Sequence, residues 1–324
     1  MNMHTYAQEE TITYERNTPF EIKLCNLKHI NPHYHTKELE LVFCLKGSVD
    51  LSTGHQHVTL QAGQLFSVDC RDIHLLSSAA DNLTLIFHLN LTELEVAWDY
   101  LQYVYFACES CHCFPYQRQA AAWIEGALFT LAYTHYSQTA VSEEEHFRLA
   151  NKMVQILLKY FNWYNYENRD SYINADLYDR FHRIMIYCQK NYQKKITISQ
   201  LAEAEHIDRN YFSQFLSKTN FQSFSRMVQY IRCFEAERLL LTTSLSVSEI
   251  SFACGFSDPK YFYAAFKLFW SCTPTEHRLR CAQFMKKPAA VEFIQGPQVP
   301  AVIMEYLTKW HVGKTFSERA VEED

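Results

Sequence analysis

Glycine and proline are scarce in this chain, with 7 and 8 copies in 324 residues. This scarcity, with 48% hydrophobic and 15% aromatic residues, excludes a disordered protein and predicts packed cores. No apolar run reaches transmembrane length, and the N-terminus lacks the basic start and apolar core of a signal peptide. We therefore expect a cytoplasmic protein of two domains, with no membrane partner.

Cysteines are present in an odd number, eleven, and are scattered through segments that we expect to be buried. This distribution favours a reducing compartment over a disulfide framework. Only Cys108, Cys111 and Cys113, with His112 among them, form a local cluster. Such a cluster could bind zinc or sense oxidants, but buried thiols at a helix end would give the same pattern.

Basic residues are in the minority overall, and the net charge is −6. Residues 177–285 nevertheless contain 14 Lys/Arg and 9 Asp/Glu, a net charge of +5, whereas the remainder contains 16 and 27, a net charge of −11. Since phosphate contacts need local positive charge, only the C-terminal part is a candidate for nucleic-acid binding.

The region from Thr197 to Arg278 has the pattern of two consecutive helix-turn-helix units. In each unit a Ser or Thr precedes a Glu or Gln by three residues, which is capping-box spacing at the start of a short helix. Asp208 and Asp258 can cap the second helix of each unit, and Gly255 suits a tight turn with positive φ. A short helix, a tight turn and a capped second helix form a DNA-reading unit.

The run between the two units, Ser223 to Leu241, contains neither Gly nor Pro and predicts one continuous helix. Nineteen helical residues would span roughly 28 Å. A rod of that length could hold two recognition helices about one turn of B-DNA apart, roughly 34 Å, so that both enter major grooves on one face.

About the last third of the chain resembles the AraC/XylS family of transcription regulators. The resemblance implies a seven-helix DNA-binding domain with two major-groove helices. The residues that carry it are Leu201-Ala202, Phe212-Ser213-x-Phe215, Ile250, Gly255-Phe256-Ser257-Asp258-Pro259-x-Tyr261-Phe262, Phe266-Lys267, Thr273-Pro274-x-Glu276 and Arg278.

The chain departs from the family pattern at several positions. The family usually has Gly where Phe221 and Ser271 stand and Tyr where His277 stands, and it often has Arg at Gln214 and Ala264. An Arg-to-guanine contact is therefore absent at the last two positions, which affects base preference and not the fold.

The outward side chains of the two recognition helices are the candidates for DNA contact. Asn210 and Gln214 could each bond an adenine edge, whereas the lysines are candidates for phosphate contact. Arg232 and Arg238 on the connecting helix could equally form structural ion pairs. The candidate DNA-binding set is Arg209, Asn210, Ser213, Gln214, Ser217, Lys218, Lys260, Tyr263 and Lys267.

The first hundred residues alternate in hydrophobicity as strands do. Short β-prone runs broken by Gly or Asp-Asn predict a small barrel or a double-sheet sandwich. The runs are Leu39–Leu45, Val49–Ser52, His57–Leu60, Gln64–Val68 and Leu83–Leu89.

Within these strands, the spacing of two histidines, a glutamate and a later histidine resembles the metal-binding motif of the cupin barrel. The second half of that motif is altered, with Asp69 where Pro is usual and Arg71 where Gly is usual. In the cupin family the matching positions are metal ligands. They are His33, His35, Glu40 and His74.

Three imidazoles and a carboxylate suit a divalent first-row metal ion. AraC-type regulators often carry the same residue types in an effector pocket without metal, so both roles stay open. Arg71 could pair with a carboxylate of an effector or form a surface salt bridge. The candidate effector-binding set is His33, His35, Glu40, Arg71 and His74.

Three apolar-periodic segments of helix length follow the strands: Glu93–Tyr105, Gln119–Tyr136 and Ser142–Phe161. The last has a broad apolar stripe that includes Met153, Ile156 and Leu157. Resemblance to the family implies a dimer interface there, and ordinary core packing would produce the same stripe.

These patterns predict an α+β protein with a cupin-like β-barrel, a helical dimerisation segment and an all-α domain with two helix-turn-helix motifs. The expected divisions are 1–90 for the effector-binding barrel, 91–166 for the helical segment, 167–176 for a linker, 177–285 for the DNA-binding domain and 286–324 for a C-terminal extension.

The predicted function is effector-responsive transcription regulation, more often activation in this family, and no enzyme activity. Its expected partners are double-stranded DNA, a sugar-like small molecule, RNA polymerase and a second copy of the chain. Two alternatives remain: a metal- or redox-sensing regulator, and a metal-dependent cupin enzyme with a DNA-binding appendage.

Overall fold

The computed structural model describes residues 5–14, 16–137, 142–161, 175–217, 219 and 221–313. An N-terminal sheet is curled into a nearly closed barrel, in the strand order β5-β4-β7-β2-β8-β3-β6. The strands are β1 (Gln8–Glu9), β2 (Phe20–Tyr34), β3 (Glu38–Lys46), β4 (Ser48–Thr53), β5 (His57–Gln61), β6 (Gln64–Val68), β7 (His74–Ser77), β8 (Leu83–Asn90) and β9 (Ala290–Phe293).

The five predicted strands are confirmed as β3, β4, β5, β6 and β8. The longest strand, β2, was not predicted, because Asn, Lys and Pro32 interrupt its apolar alternation. Its pairing with β7 shifts between Ile30 and His33, around Pro32, as expected for a residue that cannot donate to the ladder.

The two faces of the barrel wall are buried against different partners. Along β3, Leu39, Leu41 and Phe43 face the helices, whereas Val42 and Cys44 belong to the core inside the barrel. Successive strand residues point to opposite faces, so Glu40 lies on the interior side with Val42.

The described helices are α1 (Trp98–Leu101), α2 (Arg118–Ser137), α3 (Glu143–Tyr160), α4 (Ala175–Asn191), α5 (Ile198–Ala204), α6 (Arg209–Ser217), α7 (Phe224–Thr242), α8 (Val247–Ala253), α9 (Pro259–Trp270), α10 (Pro274–Phe284) and α11 (Val299–Gly313). None of them is long and apolar enough to cross a membrane. The helices α2 and α3 agree with prediction, and Ser142 caps α3 by accepting from the Glu145 N–H.

The expected helix over Glu93–Tyr105 is wrong. Only the four residues of α1 are α-helical there. The other apolar residues of this segment do not share one helical face, because each packs separately over the end of the barrel. Most of the expected linker, residues 167–174, lies outside the described residues, and α4 has already begun at Ala175.

The apolar stripe of α3 packs within the protomer. Met153 and Leu157 are fully buried, and Ile156 is 2% exposed, against α2 and the barrel wall. These side chains are therefore not free to form the dimer interface that the family resemblance implied.

The two helix-turn-helix units form as expected from their caps. Both capping boxes are present, Thr197 with Gln200 and Ser246 with Glu249. Gly255 has φ 83°, and a Cβ there would lie 2.7 Å from the Tyr192 carbonyl oxygen, so only glycine fits this turn.

Ser271 shows how the chain accommodates one departure from the family pattern. It ends α9 in the left-handed conformation at φ 55°, the conformation for which glycine is usually selected. Phe221 instead fills the core, and the left-handed residue at that turn is the neighbouring Gln222, with φ 61°.

The C-terminal extension returns to the barrel. Strand β9 pairs antiparallel with β2, with Cys25 opposite Phe293, and α11 packs on α2. Val299 and Ile303 are fully buried in the same core as the barrel wall. The helix-turn-helix region is thus flanked in sequence by two segments that belong to the barrel unit.

The barrel and the helix-turn-helix region are in direct contact, chiefly along α7. The Arg71 guanidinium pairs with Glu235 at 3.3 Å, and the Tyr6 and Ala7 amides both donate to the Leu241 carbonyl, at 2.6 and 3.1 Å. A displacement of residues in the barrel can therefore be transmitted to α7, the helix that joins the two helix-turn-helix units.

Candidate functional site

The predicted histidines and glutamate converge at one end of the barrel. One ligand atom from each of His33, His35, Glu40 and His74 lies within 4.8 Å of the others, and all four residues are buried. Glu40 Oε2 is the shared centre, with His35 Nε2 at 2.9 Å and His74 Nε2 at 3.2 Å. We call these four residues, with His88 described below, the histidine cluster.

The tautomer of three cluster histidines follows from their other ring nitrogen. A backbone carbonyl can only accept, so each Nδ1 that contacts one must carry a proton, which leaves Nε2 with a lone pair when the ring is neutral. The contacts are His33 Nδ1 to Asn31 at 2.9 Å, His35 Nδ1 to Glu10 at 3.3 Å and His74 Nδ1 to Asp72 at 3.0 Å.

This arrangement fits a divalent metal ion. Nε2 lone pairs facing a carboxylate oxygen repel it unless a cation lies between them or the rings take up further protons. Backbone acceptors on Nδ1 are the usual outer-shell partners of metal-binding histidines. The residues are the ones that a first-row ion prefers, and among the described residues no donor satisfies the second oxygen, Glu40 Oε1.

The electrostatics of the cluster agree with a need for positive charge. Burial would raise the pKa of Glu40, but the surrounding imidazoles, His74 first and then His33 and His35, hold that pKa well below its usual value when they are protonated. Burial and the neighbouring His33 lower the pKa of His74 to about 4, so its imidazole is neutral near pH 7. A neutral imidazole is the form that binds metal.

Two residues of the site were missed from the sequence. His88 Nε2 lies 3.1 Å from Glu40 Oε2, and its Nδ1 has no partner among the residues that the structure describes. Glu10 Oε2 lies 3.4 Å from His33 Nε2. His88 could have been found, because it is two residues from the interior Ile86 and lies directly opposite Glu40 in the ladder.

Arg71 does not join the histidine cluster, although it was expected in the effector pocket. Its backbone N–H donates to the His35 carbonyl at 2.6 Å, but its side chain reaches Glu235 of α7. Its φ of 68° explains why the cupin motif usually has glycine here. The side chain that replaces glycine bridges the barrel to the helix-turn-helix region.

The predicted DNA-contact residues lie on the exposed faces of α6 and α9. Phe212 and Leu216 anchor α6 in the core, and Phe262 and Phe266 anchor α9. Lys218 lies outside the described residues. The candidates found exposed are Arg209, Asn210, Ser213, Gln214, Ser217, Lys260, Tyr263 and Lys267.

Other polar groups near these helices have structural partners. Arg232 donates to the carbonyls of Tyr192 and Lys194, and Arg238 pairs with Glu235 at 3.3 Å, which supports the structural alternative for both arginines. Tyr211 is 49% exposed beside the candidate DNA contacts.

The structure describes the side chains of two of the three cysteines in the Cys108, Cys111 and Cys113 cluster. Burial raises the pKa of the Cys108 thiol well above its usual value, so it is a poor nucleophile and metal ligand. Cys113 is half-buried, and the Cys111 side chain lies outside the described part.

Comparison with known protein families matches one segment of the barrel region and one segment of the helical C-terminal region. Residues 201–280 match the family described as helix-turn-helix domain, and residues 27–89 match the one described as cupin domain. This pairing, in this order, agrees with the residues that carried the resemblance. The chain therefore carries a cupin domain followed by a helix-turn-helix domain, the arrangement that its resemblance to the AraC/XylS regulators implied.

Several relatives of this chain are named as transcription regulators. The uncharacterised HTH-type transcriptional regulator YijO of Escherichia coli is 32% identical over 113 residues, which are 35% of this chain and 40% of the relative. The HTH-type transcriptional activator RhaR of Mannheimia succiniciproducens is 42% identical over 73 residues, 22% and 25% of the two chains. The xylose operon regulatory protein of E. coli is 31% identical over 94 residues, 29% and 24%.

The matches thus span a quarter to two fifths of these relatives. Among solved structures, an AraC-type transcriptional regulator from Chromobacterium violaceum covers 34% of this chain and 98% of its own, at 24% identity and TM-score 0.32. Fatty-acid-bound ToxT from Vibrio cholerae covers 82% and 97%, at 15% identity and TM-score 0.42.

Proposed function

We propose that this chain is a one-component transcription regulator, not an enzyme, that binds double-stranded DNA through α6 and α9. The observation that carries the proposal is the pair of capped helices, each anchored by aromatic residues and each exposing a polar face. The connecting helix α7 has 19 residues, which suits insertion of both helices into successive major grooves.

The charge distribution supports the same proposal. The exposed Lys260 and Lys267 lie on α9 and Arg209 begins α6, within a region of net charge +5. Lys260 is partly neutralised by Asp258 at 3.4 Å, so Lys267 is the stronger candidate for a phosphate contact.

Gln214→Ala is expected to weaken binding to the chain's own promoter DNA by about 1 to 3 kcal/mol and to leave binding to random DNA nearly unchanged. An amide can read an adenine edge, whereas it contributes little to phosphate affinity. Fluorescence anisotropy on both DNAs measures the difference, with the barrel variant Gln61→Ala as control. Equal losses on the two DNAs would show that Gln214 reads no base.

Lys267→Ala is expected to reduce the slope of log affinity against log salt by about one unit, because one fewer phosphate is neutralised. Titrations at several salt concentrations measure this slope. Lys46→Ala, which removes an exposed lysine from the barrel, should leave it unaltered. A slope equal to that of the unmodified chain would remove Lys267 from the interface.

The regulatory part of the proposal concerns the barrel. A small polar molecule such as a sugar binds the barrel and changes the placement of the two helix-turn-helix units. Recruitment of RNA polymerase then changes, and activation of transcription is a more common result than repression. The barrel is physically connected to α7 of the helix-turn-helix region. The connection consists of the Arg71–Glu235 pair and the contacts of Tyr6 and Ala7 to Leu241. Homodimerisation remains part of the proposal, through a surface other than the buried α3 stripe.

A metal-responsive regulator is the second candidate function. It is favoured by the three histidines whose Nε2 lone pairs face Glu40. When bound, a divalent ion would neutralise that repulsion and tie β2, β3 and β7 together. The side chains that would hold the ion are His33, His35, Glu40 and His74, and His88 and Glu10 lie next to them.

A further inference from the structure

A groove of about 870 Å³ lies where the C-terminal extension returns to the barrel, and we call it the extension groove. Its walls come from the chain before β2, from β2 itself, from the last turn of α2 and from residues 293–300. All of the residues that line it lie outside the segments 27–89 and 201–280 that match known families. Its volume suits a small organic ligand, for which typical pockets measure about 300 to 1,000 Å³.

Two cationic side chains line the extension groove. The Arg16 guanidinium makes a single long hydrogen bond, 3.5 Å to the Thr134 carbonyl, and no carboxylate of the described residues lies within ion-pair distance of it. The Lys23 ammonium lies 3.1 Å from Glu10, whose other carboxylate oxygen lies 3.4 Å from His33. Lys23 therefore has a shared counterion, and Arg16 has none in contact.

The groove holds one carboxylate among its described lining residues, Glu21, and it is 5% exposed. Its Oε1 lies 3.9 Å from His135 Nε2, and it is beyond ion-pair distance of both Arg16 and Lys23. A ligand in the groove would therefore meet the two cations more directly than this acid.

A buried imidazole also lines the groove. His135 is 6% exposed, and its Nδ1 makes no hydrogen bond to any residue that the structure describes. Burial and the neighbouring Arg16 lower the pKa of His135 to about 4, so the ring is neutral near pH 7 and one of its nitrogens carries a proton. Buried polar atoms normally have a partner, so a bound molecule would account for this one.

An apolar wall stands beside the cations. Phe293 is 50% exposed, and the Lys23 ammonium lies 5.8 Å from the centre of its ring. Ile294 and Pro297 continue this wall. An aromatic face next to a cation suits a ligand in which an anionic group is joined to an apolar or planar body.

We propose that the extension groove binds a small phosphate monoester. Arg16 would hold the phosphate, His135 and the exposed Thr13 hydroxyl would donate further hydrogen bonds, and Phe293 and Ile294 would cover the organic body. A phosphate monoester carries a charge of about −1.5 to −2 at pH 7 and three strong acceptor oxygens. This matches a site with two cations and several donors.

Such a ligand would contact β2, α2 and the C-terminal extension at once, so its binding would stabilise their packing. It would also compete with Glu10 for Lys23, and Glu10 contacts His33 of the histidine cluster. An effect on DNA affinity through that cluster rests on the proposed function, whereas binding of the ester does not.

Isothermal titration of the full chain with phenyl phosphate, glucose 6-phosphate and adenosine 5′-monophosphate, each beside its unphosphorylated parent, tests the proposal. We expect at least one ester to bind, and its parent to bind at least about tenfold more weakly, because the charge-assisted bonds to Arg16 are lost. Arg16→Gln should weaken the ester by about tenfold, and Phe293→Ala by about threefold or more.

Two matched variants control for the loss of a surface cation. Arg148→Gln removes an arginine that pairs with Glu145 on α3, and Lys28→Gln removes a lysine of β2 that pairs with Asp81 outside the groove. Both should bind the ester as the unmodified chain does. Thermal unfolding without ester checks that Arg16→Gln is folded, and Arg16→Lys, which keeps the charge, should bind with intermediate affinity.

Any of four outcomes would overturn the proposal: no ester binds at millimolar concentration, ester and parent bind equally, inorganic phosphate binds as tightly as the best ester, or Arg16→Gln leaves ester binding unaltered. Promoter DNA binding is measured on the same samples without ester. Arg16→Gln that weakens DNA and ester alike would assign Arg16 to DNA phosphates and reject the groove. Ester binding by a chain that binds no DNA would reject the proposed function alone.

Discussion

His74→Ala is expected to empty the barrel of metal. The unmodified chain, purified without chelator, should carry close to one equivalent of a divalent first-row ion, and the variant should bind that ion at least about 100-fold more weakly. Outer-shell partners of metal ligands alone contribute about 10- to 100-fold, and His74 is a buried member of the ligand set itself. Elemental mass spectrometry on untagged protein gives the stoichiometry.

His57→Ala is the matched control, since this histidine is exposed on β5 and contacts Ser52 instead of the cluster. His88→Ala tests whether His88 would itself hold the ion: a smaller loss of affinity than in His74→Ala would place His88 outside the set of ligands. Metal-free protein that still binds its promoter would refute the metal site and leave the histidines as polar groups of an organic pocket.

Ile303→Ala is expected to lower the free energy of unfolding of the N-terminal unit by about 2 to 5 kcal/mol, because the residue is fully buried and leaves a cavity. Met304→Ala, next to it on α11 but 38% exposed, should cost much less. Urea denaturation followed by circular dichroism compares the two.

The comparison tests whether the C-terminal extension belongs to the barrel unit. Equal midpoints for the two variants would mean that α11 does not pack on α2 as the structure has it. A large loss confined to Ile303→Ala would show that the DNA-binding region is held at both ends by the N-terminal unit.

Local signals explain which predictions were confirmed. Thr197, Ser246 and Asp258 satisfy backbone amides a few residues away, and the positive φ of Gly255 is a property of one turn. Such interactions are almost independent of the rest of the fold. The two helix-turn-helix units could therefore be predicted from the sequence with nearly correct boundaries.

Signals that depend on distant partners were missed or misassigned. The apolar residues over Glu93–Tyr105 resemble a helical stripe, yet they cover the barrel end one at a time. Arg71 looked like a pocket residue from its place in the motif, but its side chain points to Glu235, 164 positions away. The sequence next to Glu93–Tyr105 and next to Arg71 does not indicate which distant residues these side chains contact.

The sequence by itself determined the two units, their order, the capped recognition helices and four members of the histidine cluster, because caps, periodicity and motif spacing act over a few residues. Only the tertiary structure decided that His88 and Glu10 join the histidine cluster and that α11 packs on α2. It also decided that a cavity lies between the barrel and the helix-turn-helix region. These features arise from strand pairing and packing between segments far apart in the chain, where each contact depends on the whole arrangement.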